Sequence, residues 1–198
     1  AFIKKDSILT QRIVAHIMNP TPRIMITATI PQNIDKQKYI IVDTINQLEN
    51  KGIFSSKFIL GLLNSNLISW YSYRFIFANA IRTMQFDNPT TEKIPFPNIL
   101  LNTAEDQLKH DNIAKLVEQM LAAKEKLSKA KLDAEVNKLE MQIASLDRQI
   151  DQSVYELYGL TEEEIRIVEG DPSTPVLKHL RFPRGSLRDR MTVLSTIP

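Results

Sequence analysis

The chain has 198 residues, 43% apolar and 24% charged, with a formal net charge of +2. That length and apolar share suit one domain, or one small domain with an extended helical element, and the composition is globular rather than disordered. Cysteine is absent, the histidines (His16, His110, His179) are far apart, and the five glycines form neither a GxGxxG turn nor a P-loop; disulfides, thiolate chemistry, a histidine-built metal site and a glycine-cradled nucleotide are therefore excluded as expectations.

In chain order, residues 7–18 and 23–30 alternate polar and β-branched positions on either side of Asn19-Pro20-Thr21-Pro22, which predicts an antiparallel pair of strands. Lys38 to Val42 is a third strand candidate, and Asn46 to Gly52 reads as a polar loop. From Ser55 the period changes. Phe58, Ile59, Leu62, Leu63, Leu67, Trp70 and Tyr71 recur at helical spacing, with Ser55 or Ser56 as N-cap and Asn64 and Ser65 at the helix end. This is also the longest uncharged run, between Lys57 and Arg74, but Asn64, Ser65, Asn66 and Ser69 mark it as buried helix rather than a membrane span. With no signal-peptide pattern either, a soluble cytoplasmic chain with no membrane partner is expected. A second helical stretch is predicted over Trp70 to Ala80, and Pro89, Pro95 and Pro97 predict extended chain after it.

Residues 103–158 contain no Gly or Pro. Ile113, Leu116, Met120, Ala123, Leu127 and Ala130 step by 3, 4, 3, 4 and 3, while Leu132, Val136, Leu139, Ile143, Leu146 and Ile150 step by 4, 3, 4, 3 and 4. Both are coiled-coil seams, and the register breaks around Ser128 to Ala134. An antiparallel helical hairpin fits the break; one continuous helix is the alternative, because no Gly or Pro marks a turn. Gly159 is a natural left-handed cap, and Thr161 with Glu164 forms a capping box opening a last short helix that Gly170 and Pro172 stop. The tail carries Lys178, Arg181, Arg184, Arg188 and Arg190 against Asp171 and Asp189, which leaves the rest of the chain close to neutral. The expected fold class is α+β: a small β-sheet with packed helices, then a long antiparallel coiled-coil hairpin. The expected division is residues 1–100, then the hairpin and short helix over 101–169, then a basic, poorly structured tail over 170–198.

Three stretches, in order, resemble a known family: Lys57-Phe58-Ile59-Leu60-Gly61-Leu62-Leu63-Asn64-Ser65 with Leu67-Ile68-Ser69-Trp70-Tyr71; Glu92-Lys93-Ile94-Pro95-Phe96-Pro97; and Ile150 to Ile165 (IDQSVYELYGLTEEEI) followed by Ile167-Val168-Glu169. Together they resemble the TaqI-like C-terminal specificity domain of adenine-specific DNA methyltransferases and of fused type IIG restriction–modification enzymes. The likeness covers about residues 1–169, and its last stretch is the most specific; the tail from residue 171 departs from the pattern. The resemblance implies a target-recognition domain that binds double-stranded DNA for a methyltransferase domain or subunit. The catalytic NPPY-type motif is absent: Asn19-Pro20 and Asn88-Pro89 are each followed by Thr. No cofactor is expected in this chain, S-adenosylmethionine being implied for the missing catalytic domain, and a homodimer through the hairpin is a further expectation.

DNA contact asks for cations at phosphates and planar polar groups at base edges. The candidates are Arg23, Lys36, Lys38, Arg74, Arg82, Gln85 and Asn88, with Arg12 beside them. The loop holding Arg82, Gln85, Phe86, Asp87 and Asn88 is the preferred base reader, and loop 31–38 the second. Arg74 lies among Tyr71, Tyr73, Phe75 and Phe77, which fits either a nucleic-acid groove or an arginine snorkelling over its own aromatics. Tyr155 and Tyr158 read as packing residues rather than base stackers. Asp147, Asp151 and Glu156 read as an acidic helix face rather than a metal site. No catalytic residue is expected here. The competing reading is a coiled-coil assembly module without DNA contact, supported by the near-neutral charge before the tail and by the length of the seams.

Overall fold

The computed structural model describes residues 2–4, 6–19, 22–31, 39–78, 84–97, 99, 101–171 and 192–193. The fold is α+β. The expected antiparallel pair exists, but it is broken in two. Its first run splits at Arg12 into β1 (Ile8–Gln11) and β2 (Ile13–Ile17), and its second into β3 (Arg23–Met25) and β4 (Ala28–Thr29). The two halves belong to separate three-stranded sheets, β4-β1-β5 and β3-β2-β6, rather than to one. Strand β5 (Ile45–Leu48) takes up the first three residues of the segment expected to be a polar loop, Asn46 to Leu48. It pairs in full with β1, from Ile8 opposite Leu48 to Gln11 opposite Ile45. Of the expected third strand, Lys38 lies outside the described residues, and among the described residues Tyr39 to Val42 make one isolated bridge, Ile40 to Phe2. Strand β6 (Met84–Gln85) completes the second sheet against Ile13 and Val14.

Helix α1 (Ser56–Asn64) starts at Ser55, whose hydroxyl accepts from the Phe58 N–H. Ser65 then ends α1 and begins α2 (Asn66–Tyr71): its backbone N–H returns to Leu62 O, and its hydroxyl accepts from Ile68 N. One serine in extended conformation thus divides what the periodicity presents as a single helix. The second helical stretch is short, a π-helical turn over Ser72–Ile76 that continues directly from α2. The chain around Pro89 is not extended as expected but one helical turn, α3 (Asn88–Thr91). Asp87 caps it, and Pro89 occupies the first turn, where a missing N–H costs nothing. Strand β7 (Pro95–Phe96) follows and pairs with β8 (Thr192–Val193).

The hairpin forms. Helix α4 (Ala104–Leu127) and α5 (Asp133–Leu157) are joined by a turn within the segment where the two seams lose register. Leu139, Leu146 and Ile150 are buried as the seam requires, whereas Leu132 is 70% exposed and belongs to the turn. The base of the hairpin is not solvated. Ile113, Val117, Ile150, Val154 and Tyr155 share one buried cluster with Phe58, Leu62, Leu67 and Trp70 of α1 and α2. Helix α6 (Glu162–Glu169) opens with the complete Thr161–Glu164 capping box and ends at left-handed Gly170. Among the described residues, no helix is long and apolar enough to cross a membrane.

Candidate nucleic-acid interface

Side chains alternate across a strand, and residues directly opposite in an antiparallel pair share a face. In the sheet β3-β2-β6, Val14, Ile24 and Met84 point inward and are buried. The outer face therefore carries Ile13, Ala15 and Ile17 of β2, with Gln85 opposite Ile13, Met25 opposite Ala15 and Arg23 opposite Ile17. Ile13 and Met25 remain about half exposed, at 47% and 48%. Gln85 and Arg23 thus occupy diagonal corners of one small face, with apolar side chains between them. Four residues along β2 and two strand spacings across put their Cα atoms about 17 Å apart.

Next to the Gln85 corner, Arg12 sits at the break between β1 and β2. Its guanidinium is hydrogen-bonded and ion-paired to Asp43, and its carbonyl accepts from Phe86 N. Asp87, the cap of α3, is held below the usual carboxylate range chiefly by its hydrogen bond from the Thr90 hydroxyl. Asn88 is exposed at the start of α3. Arg12, Gln85, Asp87 and Asn88 are therefore neighbours, with Asp43 offsetting the charge of Arg12. At the other corner, the Arg23 guanidinium donates to Asn19 O at 3.1 Å.

Arg74 is elsewhere. It belongs to the π-helical turn packed behind this sheet, where Tyr73 stacks on the inward-facing His16 at 4.9 Å between ring centroids. Its guanidinium lies 5.0 Å from the centre of the Trp70 ring, and burial lowers its pKa below the ordinary value. That is the snorkelling geometry, and it takes Arg74 off the face shared by Gln85 and Arg23. Lys36, Lys38 and Arg82 lie outside the described residues.

Beyond Arg23 and Met25 the sheet borders a cleft of about 800 Å3, floored by α1 and α2 and walled by the hairpin. Arg23 and Lys124 line it together with Glu140, Asp147 and Asp151 of α5. Glu140 and Asp147 on the helical wall offset Arg23 and Lys124, which makes the cleft a poor cradle for a polyanion.

A feature that residue types alone did not announce is how the three stretches carrying the resemblance meet. Asn64, at the end of the first, pairs its side-chain amide with both backbone groups of Ala28: it donates to Ala28 O at 3.1 Å and accepts from Ala28 N at 3.0 Å. Asn66, beside it, binds Asp151 of the third stretch through its backbone and side-chain N–H groups, at 2.8 and 2.7 Å. Tyr158 of the third stretch donates to the carbonyl of Pro95 in the second at 2.9 Å, in the core. Tyr155 and Tyr158 are 1% and 5% exposed, so both are packing residues, and burial raises both hydroxyls above their ordinary range.

The described glycines lie apart from one another in the fold. Gly61 is packed inside α1 under Ile113 and Val117, Gly159 and Gly170 follow α5 and α6 at positive φ, and Gly52 lies in the loop before α1. Only Gly52 stands between a strand and a helix, and it is a single glycine in the loop from β5 to α1 rather than a GxGxxG turn. Comparison of the chain with protein-family models, with curated proteins and with solved structures finds no match.

Proposed function

We propose that this chain is the DNA target-recognition domain of a restriction–modification adenine-specific DNA methyltransferase, conferring sequence-specific binding on a catalytic domain outside the chain. The observation that carries the reading is the joint just described. Residues 66 and 151, and 95 and 158, are separated by 85 and 63 positions, yet they bond directly and lock the hairpin to the body. The stretches that resemble the specificity-domain pattern thus form one structural unit, as a shared fold would require.

In this reading the outer face of β3-β2-β6 lies against the major groove. Gln85 has the amide that pairs bidentately with adenine, and Arg23 the fork that suits guanine or a phosphate. Ile13 and Met25 between them offer apolar contact of the kind a thymine methyl accepts. The separation of Gln85 and Arg23 corresponds to about five base-pair steps of duplex. Arg74, held over Trp70 behind the sheet, has no part in DNA contact in this reading. Adenine flipping and methyl transfer belong to the catalytic domain, which also supplies S-adenosylmethionine.

Anisotropy titrations of a mixed-sequence duplex pool and of an enriched duplex, across a salt series, test the assignment. Affinity is expected to fall steeply with salt. Arg23→Ala should weaken binding, and Gln85→Ala should relax preference at one base pair by about 1–3 kcal/mol. Equal affinity of both variants and the wild type for every duplex contradicts it.

A second reading, an assembly module without DNA contact, draws on the apolar side chains that the hairpin leaves in solvent: Leu108, Leu132 and Met141 are 71%, 70% and 75% exposed. They do not form one stripe. Leu108 is near the start of α4, whereas Leu132 and Met141 lie in the turn and the N-terminal half of α5. Self-association abolished by Met141→Asp, with no DNA binding, would favour this reading.

A further inference from the structure

Asp151 is a carboxyl group in an uncommon setting. It is only 8% exposed, and its described hydrogen-bond partner is not a cation but the start of another helix. Its Oδ1 accepts from the backbone N–H of Asn66 and its Oδ2 from the Asn66 side-chain amide. Asn66 is the first residue of α2, so the pair ties the hairpin to the body where α1 hands over to α2. The charges that bear on it have the wrong sign. Asp147, one turn earlier on α5, and Glu169 on α6 both oppose its ionisation. Tyr155, one turn later, adds a buried neutral hydroxyl, and Lys124 of α4, Arg23 of β3 and Glu140 of α5 line the same cleft.

We propose that the Asp151–Asn66 contact is a proton-sensitive joint between the hairpin and the α1–α2 body, closed most firmly when Asp151 carries its proton. The protonated group keeps the geometry. One oxygen still accepts the Asn66 N–H, and the new O–H can donate to the amide oxygen once the Asn66 side chain is turned over. Burial first, and then Asp147 and Glu169, push Asp151 from 3.8 up to about 7, against the downward pull of the two Asn66 hydrogen bonds. A carboxyl group shifted upward by closure binds more protons closed than open between those two values. The closed joint therefore loses stability as pH rises from about 4 to about 7 and loses no more above that. This inference stands apart from the DNA reading and holds whatever the outer sheet face binds.

The test is amide hydrogen exchange at Asn66 in the full chain, corrected for intrinsic exchange, across a pH series. Thermal unfolding followed through the single tryptophan, Trp70 on α2, is the second readout. The opening equilibrium of the wild type, divided by that of Asp151→Asn, should rise by up to tenfold per pH unit from about pH 5 to about pH 7 and then level off. A ratio that stays constant over this range overturns the proposal. If Asp151→Asn does not fold, the exposed pair Asp147→Asn/Glu169→Gln takes its place. Removing both negative neighbours should move the levelling point to lower pH, and curves that superimpose on the wild type overturn the proposal.

Discussion

Gly61 lies where α1 crosses the base of the hairpin. A methyl group built there meets Ile113 Cγ2 at 2.8 Å and Val117 Cγ2 at 3.0 Å, closer than side chains tolerate. Both neighbours are β-branched and buried, with little freedom to turn away. Gly61→Ala should therefore destabilise the chain by about 1–3 kcal/mol, despite the better helix propensity of alanine, and lower the denaturant midpoint without altering its slope. A midpoint at or above the wild-type value would show that the helices separate without cost. The sequence places Gly61 in an apolar helical run, but it does not reveal the close approach, because that depends on a helix some fifty positions later. The same limit applies to Asp151. Asp147 and Glu156 near it in sequence mark an acidic face, whereas its burial and its bond to Asn66 follow from tertiary packing.

At the scale of elements, helices were far more legible than strands. Helix signals are local: the capping box at Thr161 and Glu164, the seam of α5 and Gly159 with its positive φ lie where the pattern places them. Thr161→Ala removes a hydroxyl that accepts from Glu164 N and should cost about 1 kcal/mol, read as faster hydrogen exchange confined to α6. Exchange accelerating equally in α5 would mean that α6 and the hairpin unfold as one unit. Strands are defined by distant partners. Ile45–Leu48 contains Asn46 and Gln47 and looks like loop, yet four paired residues on β1 make it an edge strand. Ile40 and Val42 have the composition of a strand but stay exposed, because among the described residues they meet no sheet edge apart from the bridge of Ile40 to Phe2. The split of the long hairpin at Arg12 was hidden for the same reason: two sheets, each with its own third strand, pull its halves apart.

At the scale of the whole molecule, the fold class and the helical hairpin were visible in composition and period, while the arrangement of the candidate interface was not. Gln85 and Arg23 are 62 positions apart and come to one face only through the register of β2 with β3 and β6. Arg74 looked equivalent to them as a cation among aromatics, but the π-helical turn puts it over Trp70 behind the sheet. The central claim, that this outer face reads DNA sequence, is tested most directly by selecting randomised duplexes on the chain at low salt, with Gln85→Ala selected in parallel. The account predicts enrichment of one short motif by the wild type, containing an adenine whose preference Gln85→Ala loses while the other positions persist. Absence of any enriched motif from the wild type, with tight self-association by light scattering, would contradict it and favour the assembly module.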